Sequence, residues 1–325
     1  MNILYILGNG FDIAQGMKTS YPDFYQHLRN NNNNNSKLLQ QVLEDINENK
    51  TLWSDMEIAL GKFTSKIKNP NDFENLYFEL SEKLQNYLKT EDNKFNPSEE
   101  LKSKFRSDFI SPTKYMAEPD KKLYLDFEKK VNAIHNINVI NLNYTNTIEK
   151  LLYPKPITNN DVIISNNHIK PIIHIHGKLD DTIIIGVDNK NQIANEQFSN
   201  NEDIKDLLVK EQSNLAMKNT YHQTCEEFIK QAHLIIIYGV SFGETDIRWW
   251  KLIGEQIKNR FYLSIILYPY MPTAIPKTKK QMLGKIEREK RNWLMDKMMI
   301  KKEDCPKDIN DRIFIIPTYS NAFKL

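Results

Sequence analysis

Cysteine is scarce in this chain of 325 residues: Cys225 and Cys305 are the two present, and they lie far apart. That scarcity argues against a disulfide framework and against a cysteine-based zinc site, and it fits a cytoplasmic protein. Charge of one sign is lacking too, since 44 basic and 42 acidic side chains leave a net charge of +2. A dedicated polyanion binder is disfavoured, and no strong nucleic-acid signal stands out. No apolar run approaches the roughly 18 residues of a membrane span. The first residues read as a strand, with no charged leader or cleavage site, so neither secretion nor a membrane location is expected.

What is present begins with MNILYILGNGFDIAQG. Asn2 to Leu7 is an apolar run too short for a helix and bounded by glycine, as a buried strand would be. Gly8-Asn9-Gly10 turns, and Phe11 to Gly16 opens a helix. A strand passing through glycines into a helix can offer backbone N–H groups to a phosphate, with the helix N-terminus adding positive potential. Asp12 and Ile13 stand where the third glycine of the dinucleotide fingerprint would fall, so the same residues also fit a tight turn with no ligand.

With 40% hydrophobic residues the chain can bury a sizeable core. Ser20 and Asp23 resemble a capping box for a helix running to about Leu28. The Asn30 to Asn35 tract reads as a loop. From residue 36 to 135 the pattern is helical, and Trp53, Met56, Leu60, Phe63 and Ile67 form one apolar stripe. Strand signals resume at Ile137–Leu142, then at Val162–Ile164, Ile172–His176, Ile183–Val187, Leu234–Tyr238, Leu263–Leu267 and Phe314–Ile316. Helical stretches are expected at Asp203–Gln231, Asp246–Lys258 and Lys279–Met299. Continuous β-branched strands alternating with helices predict an α/β fold with a doubly wound, mostly parallel, Rossmann-like sheet. One domain over residues 1–325 is expected, with residues 36–135 inserted after the first βα unit as a cap over the sheet's carboxyl edge.

Four strand ends carry polar residues that an apolar core does not require. They are Gly8-Asn9-Gly10-Phe11-Asp12, Asn141 to Asn146, His174-Ile175-His176-Gly177-Lys178, and Gly239-Val240-Ser241-Phe242-Gly243 with Asp246. If the strands are parallel, all four gather on one edge of one sheet. Alternation in a strand would put His174 and His176 on the same face. Three readings follow for the pair: hydrogen-bonded structural histidines, metal ligands with Asp180 or Asp188 as a third, or a general base. His176, immediately before Gly177, is the better placed base.

GNGFDIAQGMKTSYPDF, the helix Trp53-Ser-Asp-Met-Glu57, LNYTNTIEKL, HIHGKLDD and IIYGVSFGETD together resemble the AbiH-type abortive phage infection family. The series is also similar, more distantly, to sirtuin-like NAD-binding proteins. Their glycine turn resembles Gly8, Gly10 and Gly16, and their Asn-x-Asp motif resembles Asn143-Tyr144-Thr145. Their catalytic His-Gly resembles His176-Gly177, and their late Gly-x-Ser turn resembles Gly239-Val240-Ser241. Thr145 replaces the second polar residue of Asn-x-Asp, and the four-cysteine zinc module is absent. The resemblance therefore implies an anti-phage protein that cleaves NAD rather than a deacylase.

On that resemblance His176 is the base, Asn143 orients ribose or water, and Gly8, Asn9 and Gly10 cradle pyrophosphate. Gly239 and Ser241 line the adenosine side, and Asp12 contacts ribose or caps its helix. Phe11, Tyr144, Thr145, Gly177 and Asp246 complete the expected nucleotide-binding set. Glu57 is expected from its own position: four residues after Trp53 it lies at the margin of the buried stripe, where a carboxylate needs a partner or a ligand. NAD would be substrate or ligand rather than a resident cofactor, and no metal is expected. Two other readings stay open, a module that senses NAD or an ADP-ribose derivative without cleaving it, and a metal-dependent nuclease or phosphohydrolase using His174 and His176. The phage trigger is not legible, and a homo-oligomer is compatible with the sequence.

Overall fold

The computed structural model describes residues 1–31, 35–129, 135–153, 162–165, 167–269 and 281–316. Strand β1 (Asn2–Leu7) turns into the short α1 (Gly10–Ala14). A run of helices follows: α2 (Tyr21–Asn30), α3 (Lys37–Glu48), α4 (Met56–Phe63), α5 (Pro70–Lys94), α6 (Glu99–Phe109) and α7 (Glu118–Glu128). Then come β2 (Asn136–Asn141), α8 (Thr147–Leu152), β3 (Val162–Ile164), β4 (Asn167–Ile169) and β5 (Ile173–His174). Four helices lead back to the sheet: α9 (Glu196–Ser199), α10 (Glu202–Leu208), α11 (Lys210–Ala216) and α12 (Tyr221–Gln231). The described chain ends through β6 (Leu234–Tyr238), α13 (Ile247–Asn259), β7 (Ser264–Tyr268), α14 (Leu283–Lys297) and β8 (Ile313–Ile315).

The fold is mixed α/β. Its eight-stranded sheet runs β3-β4-β2-β1-β6-β7-β8, with β5 paired to the far end of β2. Every pairing is parallel except β3 with β4. β1 is central, and its side chains alternate between faces as a strand requires. Ile3, Tyr5 and Leu7 pack with Phe105, Phe109, Tyr124 and Leu151 from α6, α7 and α8. Leu4 and Ile6 pack with Ile229, Trp250, Ile253 and Leu294 from α12, α13 and α14. Helices on both faces explain why these strands read as continuous apolar runs.

The helical block between β1 and β2 divides between two cores. α6 and α7 lie on the sheet, where the Tyr5 hydroxyl donates to the Phe109 carbonyl at 2.5 Å. α2 to α5 instead build a separate core around Trp53, Met56, Leu60, Phe63, Phe73 and Leu80. Trp53 Nε1 donates to Asp45 Oδ2 at 2.9 Å, which ties the start of α4 to α3. The expected apolar stripe is buried throughout, although 3₁₀ turns at Leu52–Ser54 and Thr64–Lys66 flank α4.

Three expected elements take another form. Ile183–Val187 is not a strand; Ile183, Ile185 and Val187 are buried in the helical core, which is what makes the run apolar. Its backbone groups are satisfied piecemeal, as burial demands: Ile184 N–H by the His176 carbonyl at 2.8 Å and Ile185 N–H by the Tyr77 hydroxyl at 3.2 Å. The strand expected at Ile172–His176 shrinks to Ile173–His174, because the chain turns directly after it, with Gly177 N–H donating to the His174 carbonyl at 3.1 Å. The helix expected over Asp203–Gln231 is three helices. It breaks at Val209, which is extended (φ −97°, ψ 110°) and bridged to Val187. Residues 279 and 280 of the last expected helix lie outside the described residues, as do 32–34 of the asparagine tract. Among the described residues no helix is long and apolar enough to cross a membrane.

Candidate active site

Because β1, β2, β5 and β6 are parallel neighbours, all four polar clusters emerge at the same edge of the sheet. They touch one another there. Gly10 N–H donates to the Gly239 carbonyl at 2.8 Å, and Asn143 Nδ2 donates to the Gly8 carbonyl at 3.1 Å. Gly239 adopts φ +68°, and a Cβ on it would lie 2.3 Å from Phe11 N, so the two turns meet only as glycines. Gly8 N–H donates to the Tyr238 carbonyl at 3.0 Å. The N–H groups of Gly8 and Gly10 thus stitch two turns together instead of facing a phosphate.

Several expected nucleotide contacts are held within the protein. Asn9 closes the loop after α1, exchanging bonds with Thr19 at 2.9 and 2.5 Å. Phe11 is core, edge-on to Phe105 at 5.8 Å and to Tyr238 at 5.9 Å. Tyr144 is buried in the helical core, its hydroxyl on the Ile184 carbonyl at 2.9 Å. Both rings are walls of the fold, because each sits where apolar surface must be covered. Gly177 has φ +85°, and a Cβ there would lie 1.9 Å from the Thr182 carbonyl oxygen. It makes the turn that carries His176. Ser241 is exposed on the turn that follows β6.

Asp12 sits beneath this edge, 1% exposed, with Oδ2 accepting from the Thr145 hydroxyl at 2.5 Å and Oδ1 without a hydrogen-bond partner among the described residues. Burial pushes its carboxyl up to about 7, against the pull of the Thr145 hydrogen bond.

The two histidines part company, because β5 ends at His174 and alternation does not extend to His176. His174 Nδ1 donates to the Asn143 carbonyl at 2.8 Å, and Nε2 faces Glu149 Oε1 at 2.6 Å. Burial raises the Glu149 carboxyl, but His174 and Lys178 outweigh it and hold the group below its ordinary value. Both nitrogens of His174 are therefore occupied and cannot join His176 on a metal. Asp188 Oδ1 accepts from Arg248 N–H at 3.3 Å, and Asp180 is exposed. Among the described residues no group of three or more His, Cys, Asp or Glu could hold a metal ion.

His176 belongs to a different cluster. It is 3% exposed, its Nε2 lies 3.1 Å from Asp246 Oδ1, and among the described residues Nδ1 has no hydrogen-bond partner. Lys210 Nζ reaches Asp246 Oδ1 at 3.0 Å, Glu57 Oε2 at 2.9 Å and the Thr245 carbonyl at 3.1 Å. Glu57 comes from α4, whose N-cap Asp55 accepts from Ile58 N–H at 3.2 Å. The helical block therefore reaches the sheet edge, and Glu57 is 7% exposed within the cluster.

The two carboxylates that share Lys210 titrate unequally. Burial raises Glu57, and Lys210 offsets this only in part because Asp246 and Asp55 repel its charge. Asp246 is held well below the carboxylate range, since Lys210 and His176 together overcome its burial. Lys210 is held above its ordinary value by the same two acids despite burial. Behind them His222 is pushed down to about 3 by burial and the neighbouring Arg248.

Lys210, Asp55, His222 and Arg248 were not legible as site residues from sequence. One signal pointed to Lys210: a carboxylate at the margin of a buried stripe implies a cation somewhere.

An α/β protein with a buried acid–base cluster at the carboxyl edge of a parallel sheet, part of it supplied by a helical block, is the class these observations define. The chain belongs to the bacteriophage abortive infection AbiH family, whose model matches residues 4–267. Membership carries a role in abortive-infection defence against phage. No curated protein matches the chain.

Proposed function

We propose that this edge binds NAD and hydrolyses its nicotinamide–ribose bond, as the sirtuin-like resemblance of the same residues implies. Water adds to the ribose anomeric carbon, the bond to nicotinamide breaks, and nicotinamide leaves with the bonding electrons. The water proton passes to His176, and ADP-ribose is the second product. One observation carries the reading: a buried histidine whose Nε2 lies 3.1 Å from an ionised aspartate at the sheet edge. Such a base can take a proton, and Asp246 stabilises the imidazolium that results. Asp246 and Glu57 also supply negative potential for an oxocarbenium-like sugar. Asn143, Asp12 and Thr145 form the adjoining polar floor.

Purified protein incubated with NAD should release nicotinamide and ADP-ribose. Intact NAD, with or without phage lysate as trigger, would sink the hydrolase reading. A second reading, a sensor that binds NAD without cleaving it, is favoured by the burial of His176, Glu57 and Lys210 at 3%, 7% and 3% exposure. Saturable NAD binding by calorimetry with no product would select it.

A further inference from the structure

Lys210 has a distinct part in this site, and the argument for it rests on His176 as the base. It opens α11 directly after the Val209 break, 3% exposed. A lysine ammonium has three N–H donors. Three acceptors surround this one, Glu57 Oε2 at 2.9 Å, Asp246 Oδ1 at 3.0 Å and the Thr245 carbonyl at 3.1 Å. With every donor engaged, it has nothing left to offer a substrate. It is too fully bonded to be a catalytic acid.

We propose that Lys210 is a positioning residue that sets the charge felt by His176, by sharing Asp246 Oδ1 with the imidazole and holding Glu57 beside it. Two nitrogens approach the same oxygen, Lys210 Nζ at 3.0 Å and His176 Nε2 at 3.1 Å. The ammonium offsets part of the negative potential that the Asp246 carboxylate places on the imidazole. Glu57 from α4, His222 from α12 and Asp246 from the turn before α13 act on His176, and Asp55 before α4 and Arg248 from α13 act on these neighbours. His222 stays neutral across the working range, because burial and Arg248 push it down to about 3. The charges nearest His176 in the cluster are the Asp246 and Glu57 carboxylates and the Lys210 ammonium. This geometry also links the helical block to the sheet edge, since Glu57 and Asp246 meet through Lys210 alone among the described contacts.

The test is a histidine NMR titration of the full chain, with the His176 resonance assigned by its loss in His176→Ala. Removing a charge about 4–6 Å from an imidazole moves its midpoint by roughly 1–3 pH units. Lys210→Met should raise the His176 midpoint by about one pH unit or more, and Lys210→Arg should leave it near wild type. The double variant Lys210→Met with Glu57→Gln loses one charge of each sign, so its midpoint should lie between the wild type and the single variant. A wild-type midpoint in folded Lys210→Met would overturn the inference. If that variant does not fold by circular dichroism, the double variant decides: a raised midpoint supports the role, and an unchanged one ends it. The acid limb of NAD turnover should move with the midpoint. A wild-type protein that leaves NAD intact while the Lys210→Met midpoint rises would remove the hydrolase reading and leave the role of Lys210 standing.

Discussion

His174 and His176 stand two residues apart at the end of one strand, and each is at most 3% exposed. Their surroundings differ in kind. His174 has a carbonyl on one nitrogen and the Glu149 carboxylate on the other. His176 has an aspartate 3.1 Å from Nε2 and, among the described residues, no partner on Nδ1. A buried polar group is ordinarily satisfied, so the satisfied ring reads as architecture, and on the proposed function the other ring is the base. Burial alone does not separate structure from chemistry here; completed bonding does.

The largest effect that could break this contrast is on turnover. His176→Ala should lower NAD cleavage by about 10²–10⁴-fold, the usual contribution of a positioned base, with a melting curve close to wild type. Wild-type turnover in that variant would dissolve the distinction. His174→Ala should do the reverse. It leaves Glu149 buried without its imidazole, at a cost of about 3–5 kcal/mol in stability, while the fraction that remains folded keeps its activity. Denaturant melts paired with nicotinamide release separate the two outcomes.

Asp12 sharpens the comparison, as a buried acid with one oxygen satisfied and one not. Its folded-state carboxyl is raised to about 7, above the unfolded value of about 4, so the folded chain holds this proton more tightly. Its contribution to stability is complete below about pH 4 and is lost as pH rises toward 7. Asp12→Asn should flatten that slope and stabilise the protein at pH 8, by up to about 4 kcal/mol at 1.4 per pH unit. A pH–stability curve unchanged by the substitution would show that Asp12 is not held protonated.

Smaller again is Glu57→Gln, which keeps the shape and removes a charge. It should slow NAD cleavage about tenfold, on the scale of 1.4 kcal/mol, with little change in melting temperature. Wild-type kinetics would take Glu57 out of the site. The smallest expected effect is none: exhaustive chelation should leave turnover intact. Activity lost to chelator and restored by zinc or manganese would revive a metal role for the histidine pair.

Local pattern determined most of the architecture. Apolar runs of five or six residues marked the central strands within a residue or two, and the spacing of Trp53, Met56, Leu60 and Phe63 marked a buried helical face. Both follow from the periodicity that each element must show to cover one side or two. Parallel strands then send their polar ends to one edge, so the gathering of Gly10, Asn143, His176 and Gly239 was implicit in the chain. Tertiary structure alone decided how those residues are used. Ile183–Val187 has a strand's composition, yet it packs as a loop because the helical core, rather than a neighbouring strand, covers it. Val209 leaves its helix to bridge Val187, and that break swings Lys210 into the cluster with Glu57, from a helix 153 positions earlier in sequence, and Asp246. No local signal encodes such a meeting. Burial of two carboxylates beside an imidazole requires a cation, and only the packed fold brings one there.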